Sequence, residues 1–163
     1  MKFERVPPTL HSYEIPMQVI RDTQRVLQQR GDEGVEAVVL WLGRPRDERH
    51  ADILAAFVPE QVAYRSDEGV AVEVTSEGLT RLIGELPDGI FVLCRVHSHP
   101  GPAYHSELDD QNLIIAHPGA ISIVVPFFAR DPIVLDRCSV NELGDTGWRE
   151  LTTHEVHERF QVL

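Results

Sequence analysis

Apolar positions along this chain fall into two patterns, a three-to-four-residue repeat and shorter, nearly continuous runs, which predict helices and buried strands respectively. Residues 16–29 place Met17, Val19, Ile20, Val26 and Leu27 near helical period. Pro16 suits a first helical turn and Gly31 is placed to end the helix. Residues 35–43 then form an apolar run rich in β-branched and aromatic side chains, the pattern of a strand covered on both faces. One charge interrupts it: Glu36, which shares a strand face with Val38, Leu40 and Leu42. After a charged turn over 44–50, strands are expected over 51–58 and 70–74. Thr75 or Ser76 can cap a helix running to Leu86, with Leu79, Leu82, Ile83 and Leu86 on one face.

A turn at Pro87-Asp88-Gly89 leads into the apolar run 90–94, which ends in Arg95-Val96-His97-Ser98-His99-Pro100. A Pro/Gly loop follows, and a helix is expected over 106–117, burying Leu108, Leu113, Ile114 and Ile115 and stopped by Pro118-Gly119. Strands are predicted over 120–126 and 133–140, an edge strand around Trp148, and a closing helix over 152–160. Residues 1–15 read as irregular. The resulting order, α-β-β-β-α-β-α-β-β-α, is that of an α/β (α+β) protein with a mixed sheet and helices packed on it. No repeat or linker divides the chain, so one domain over 1–163 is expected.

Composition narrows the function more than the fold. The 42% hydrophobic and 25% charged fractions are those of a globular protein, and the net charge of -11 argues against nucleic-acid or anionic-membrane binding, which need a cationic surface. No apolar stretch is long enough to span a bilayer, and the N-terminus lacks the apolar core of a secretory signal, so a cytoplasmic protein is expected. The two cysteines, Cys94 and Cys138, cannot build an all-cysteine zinc site and sit in apolar runs as buried thiols.

The chemistry concentrates at the end of the 90–94 run. Residues two apart on a strand point to one side, so His97 and His99 project together, about 7 Å apart between Cα atoms. Asp109 or Asp110 can add an oxygen from the start of the following helix, where Ser106 is a natural N-cap. Three such ligands with one position left open describe a catalytic zinc site. Glu36 is the second anomaly. A carboxylate within an apolar strand is costly unless it is paired, hydrogen-bonded or beside a metal, or unless it lies exposed at the fraying start of the strand. Elsewhere, His154-Glu155-Val156-His157 is one residue short of His-Glu-x-x-His and reads as a surface helix feature. Cys94 faces away from His97 on the strand. His105 reads as a solvated loop residue beside the site.

His97-Ser98-His99-Pro100 followed by Ser106-Glu107-Leu108-Asp109, with Glu36 upstream, resembles the JAMM motif of the JAB/MPN zinc metalloproteases. The resemblance runs from the first helix to the strand over 120–126. It implies a curved sheet flanked by helices, cytidine-deaminase-like, in which His97, His99 and Asp109 hold Zn2+. It further implies that Glu36 is the general base and Ser106 the hydrogen-bond donor to the developing oxyanion. The implied reaction is hydrolysis of the bond after the C-terminal glycine of a ubiquitin-like modifier, in deconjugation or precursor maturation. One departure is that residues 100–105 make a loop one residue shorter than is usual in the family. Ser-to-Asp spacing on a helix cannot slip without turning the ligand about 100° away, which favours Ser106 with Asp109 over Asp110. The plain core looks like the compact bacterial members encoded beside ubiquitin-activating (E1-like) and conjugating (E2-like) homologues, including those of antiphage islands. Trimming of a sulfur-carrier protein and a non-catalytic MPN scaffold are the competing readings.

Overall fold

The computed structural model describes residues 6–106 and 115–163. Its centre is strand β2 (Val38–Pro45), which hydrogen-bonds antiparallel to β3 (His50–Phe57) on one side and to β6 (Phe91–Ser98) on the other. Beyond β3 lie β1 (Ser12–Ile15) and then β10 (Phe160–Val162), both parallel additions. Beyond β6 lie β7 (Ile121–Val125), parallel to it, then β8 (Ser139–Gly144) and β9 (Gly147–Glu150), antiparallel. Eight strands thus form one mixed sheet in the order β10-β1-β3-β2-β6-β7-β8-β9. Strands β4 (Gln61–Ser66) and β5 (Gly69–Val74) form a separate hairpin. The helices among the described residues are α1 (Met17–Asp32), α2 (Ser76–Glu85) and α3 (Thr153–Arg159), with 3-10 turns at Phe127–Ala129 and Leu135–Arg137. None is long and apolar enough to cross a membrane.

The continuous apolar run of β2 reflects cover on both faces. Val39 and Trp41 join the larger core with Val19, Ile20 and Leu27 of α1. Val38 and Leu40 face the other way, against Val74, Leu82 and Leu86. Trp41 needs a partner for its N–H in so dry a place, and its Nε1 donates to Thr23 Oγ1 at 2.8 Å. Thr23 in turn donates to the Val19 carbonyl at 2.8 Å. Helix α2 begins as expected at Thr75, whose Oγ1 accepts from Gly78 N at 3.1 Å.

Several expectations need correction. Helix α1 does not stop at Gly31 but runs to Asp32. Gly34, at φ 73°, is the left-handed residue, with its N–H donating to Gly31 O at 2.8 Å and that of Val35 to Arg30 O at 3.2 Å. The strand expected over 133–140 starts only at Ser139, because a 3-10 turn occupies Leu135–Arg137. Strands β1, β4 and β10 were not anticipated. Ser106 and residues 115–117 lie outside any helix or strand, and residues 107–114 of the helix expected over 106–117 lie outside the described residues.

Candidate metal centre

The register of β6 decides which of its side chains share a face. Cys94 pairs with Trp41 but Val92 with Leu42, so Leu93 is an extra residue, a bulge, and joins Cys94 in the core under α1. Downstream of it the alternation is regular. Val96 stays in that core, while Arg95 and His97 lie opposite Leu40 and Val38, on the face that carries the α2 cluster. His99 lies just past the strand, its N–H donating to Val125 O at 2.9 Å.

Glu36 reaches the same place from the other strand. The β2–β6 pairing continues one step beyond the ladder: Ser98 N–H donates to Ala37 O and Ala37 N–H to Ser98 Oγ, both at 3.2 Å. One further step sets Glu36 opposite His99, on the face of Val38. Glu36 is only 9% exposed, so the reading that it frays into solvent is wrong. His97 and His99 are buried as well, with ring centroids 5.1 Å apart at 62°. All three line a cavity of about 740 Å³ with Arg95, Tyr104 and Ser106, walled on one side by residues 68–73 of the hairpin.

The loop from His99 to Ser106 is tethered from two directions. Tyr104 meets His99 edge-on, with centroids 4.8 Å apart. His105 packs on Trp148, with centroids 5.0 Å apart, and its Nε2 lies 3.3 Å from Arg95 Nη2. His105 is therefore half-buried rather than solvated. Arg95, which the sequence reading passed over, is buried on the cavity floor and donates from Nη2 to Ser122 Oγ at 2.8 Å. Its signal was the same as that of Glu36, a charge inside an apolar strand.

Other candidates stand apart from this cavity. Cys94 is fully buried under α1, and burial pushes its thiol far above the ordinary range. His154 pairs with Glu158 at 3.2 Å and His157 with Asp136 at 2.6 Å, on the exposed face of α3. Asp109, the expected third ligand, and its alternative Asp110 lie outside the described residues. Among the described residues, no three His, Cys, Asp or Glu side chains group closely enough to hold a metal. The donors that are present fit one all the same. Two imidazoles side by side on a cavity floor, with a buried carboxylate at hand, are nitrogen ligands of the kind zinc takes.

No family model matches the chain. Among solved structures, the protein DSY2949 of Desulfitobacterium hafniense aligns over 93% of this chain and 92% of its own at 15% identity, with a TM-score of 0.61. A JAB1/MPN domain protein of Archaeoglobus fulgidus aligns more loosely, over 92% and 98%, at 18% identity and a TM-score of 0.49. Among curated proteins, a probable metalloprotease of Sinorhizobium fredii is 34% identical over 139 residues, 84% of this chain and 85% of the relative. With 34% identity over most of both lengths, and His97, His99 and Pro100 lining its cavity, the chain belongs to the same family as this probable metalloprotease.

Proposed function

We propose that this metalloprotease is a zinc-dependent isopeptidase that hydrolyses the bond after the C-terminal glycine of a ubiquitin-like modifier. The observation that carries the reading is the convergence of Glu36 with His97 and His99 in one cavity, since metal-assisted hydrolysis by general-base catalysis needs a proton acceptor, here a carboxylate, beside the metal ligands. His97, His99 and Asp109 would hold the zinc. When bound, zinc supplies positive charge that polarises the scissile carbonyl and acidifies water.

The chain's own groups do the rest. The Glu36 carboxylate takes a proton from the attacking water and returns it to the leaving amine nitrogen. Ser106 Oγ donates a hydrogen bond to the carbonyl oxygen as it gains negative charge, an interaction stronger in the transition state than before it. Residues 68–73 of the hairpin form one wall of the cleft in which the substrate tail would lie. A slender C-terminal tail fits such a cleft better than a folded segment does.

The partners proposed with this reading are the modifier or its conjugates and the E1-like and E2-like proteins that attach it. The test is cleavage of bacterial ubiquitin-like proteins extended by a short peptide beyond their terminal glycine, alongside sulfur-carrier proteins extended in the same way. Release of the extension that stops on chelation and returns with zinc is expected. Cleavage that persists after complete metal removal would contradict the reading, and cleavage confined to the sulfur carriers would replace the substrate.

A further inference from the structure

Directly after β7, Phe127, Phe128 and Ala129 adopt φ of 52°, 53° and 54°. Three successive non-glycine residues in the left-handed region persist only where their surroundings hold them there. One set of holds comes from the histidine loop. Phe128 N–H donates to His99 O at 2.8 Å and Phe127 N–H to Gly101 O at 2.9 Å, while His99 N–H donates to Val125 O. Both backbone groups of His99 are thereby fixed by one continuous segment, the end of β7 and the turn that follows.

The other holds come from α1. Gln24 Nε2 donates to the carbonyls of Ala129 at 3.3 Å and Asp131 at 3.0 Å, and Gln28 Nε2 to that of Arg130 at 3.3 Å. Gly31 continues the same helix face one turn on. Glycine inside a helix is unfavourable compared with alanine, so its presence asks for a packing reason. Phe128 provides one: a Cβ at position 31 would stand 2.8 Å from Phe128 Cγ, nearer still to its Cβ, and 3.3 Å from its carbonyl oxygen.

We infer that Gly31 is a positioning residue for the metal centre: its bare Cα lets Phe128 seat the left-handed turn, and that turn sets where His99 stands. The inference rests on the proposal that His99 is a metal ligand. It adds a contact remote from the cavity that the motif does not contain.

Zinc affinity, measured by competition with a chromophoric chelator, tests it. Wild type should bind one equivalent. Gly31→Ala should bind at least tenfold more weakly, the scale on which outer contacts tune metal sites, while its circular dichroism stays that of a folded chain. The double variant Gly31→Ala/Phe128→Gly removes the Cβ that is struck and tolerates positive φ. It should regain most of the affinity yet melt below wild type, because a buried ring is gone. A glycine with only a structural role would instead give affinity that follows melting temperature through the series. If Gly31→Ala fails to fold, Gln24→Ala/Gln28→Ala, which cuts the helix's hydrogen bonds to the turn, should show the same loss. Equal zinc binding by wild type and by the folded variants overturns this inference alone. A wild type that binds no zinc overturns the metal-centre reading and this inference with it.

Discussion

Most of the proposed chemistry depends on Glu36. Its burial would be costly in an ordinary apolar strand, because an ionised carboxylate loses its hydration. Here the cost has a use, since the register brings it opposite His99. His97 and His99 were legible as a pair two residues apart closing an apolar run, and Glu36 as a charge whose chain neighbours, Val35 and Ala37, are apolar. His105 was not legible. Its fate is decided by Trp148, which lies far along the chain and reaches it only through the β8–β9 hairpin. Nor was Gly31, whose partner Phe128 is visible only once α1 and the end of β7 meet. The cysteines make a direct prediction at this scale. Burial pushes the Cys138 thiol up to about 12 and that of Cys94 higher, so both stay protonated in the folded protein. Cys138, expected to be buried, is in fact only part-buried, so iodoacetamide at pH 8 should label it slowly and should leave the fully buried Cys94 unlabelled until denaturant is added. Rapid labelling of Cys94 in the native chain would contradict its burial.

Among elements, the strands that the pattern revealed are those covered on both faces. Strands β2 and β6 read as apolar runs because each side of the sheet carries a core. Strand β4 escaped for the opposite reason. Val62 and Tyr64 are exposed on it, so its alternation carries no burial signal, and it exists through its pairing with β5. Strands β1 and β10 are short: β1 joins the sheet by pairing with β3, and β10 joins by pairing with β1, reinforced by the stacking of Tyr13 on Phe160, 5.1 Å between centroids.

Helix α3 shows its start clearly. Thr152 and Glu155 form a reciprocal capping box, and Arg149 of β9 binds the same carboxylate at 2.9 Å. These contacts, that of Arg149 first, lower the Glu155 carboxyl from 4.5 to about 2. A carboxyl whose pKa is depressed on folding contributes stability that is present above 4.5 and is lost as pH falls through about 2. Arg149→Met should therefore raise the Glu155 pKa toward 4.5 in an NMR titration of its side-chain carboxyl, and should flatten the acid limb of stability between those values. An unchanged Glu155 titration would show that the capping backbone alone sets it.

At the scale of the whole molecule, the sheet serves as a frame that aligns three distant pieces of chain. β2 delivers Glu36, β6 delivers the histidines, and the end of β7 holds the loop between His99 and Ser106 from behind. The hairpin of β4 and β5 walls the cavity on one side. Its contribution could not be foreseen, because nothing in the alternation of Val70 and Val72 tells where the hairpin folds back. The architecture itself was foreseeable from the mixture of helical periods and short apolar runs. The metalloprotease character that the motif suggested agrees with 34% identity to a probable metalloprotease. On the proposed mechanism, Glu36 moves the proton at a metal site it does not itself build. Glu36→Gln keeps the shape and removes the base, so its zinc content and its rate of cleaving a glycine-extended ubiquitin-like protein should be measured side by side with wild type. Both should hold one equivalent of zinc, and the variant should lose about a hundredfold or more in rate. Cleavage by Glu36→Gln at the wild-type rate, with zinc retained, would contradict that mechanism.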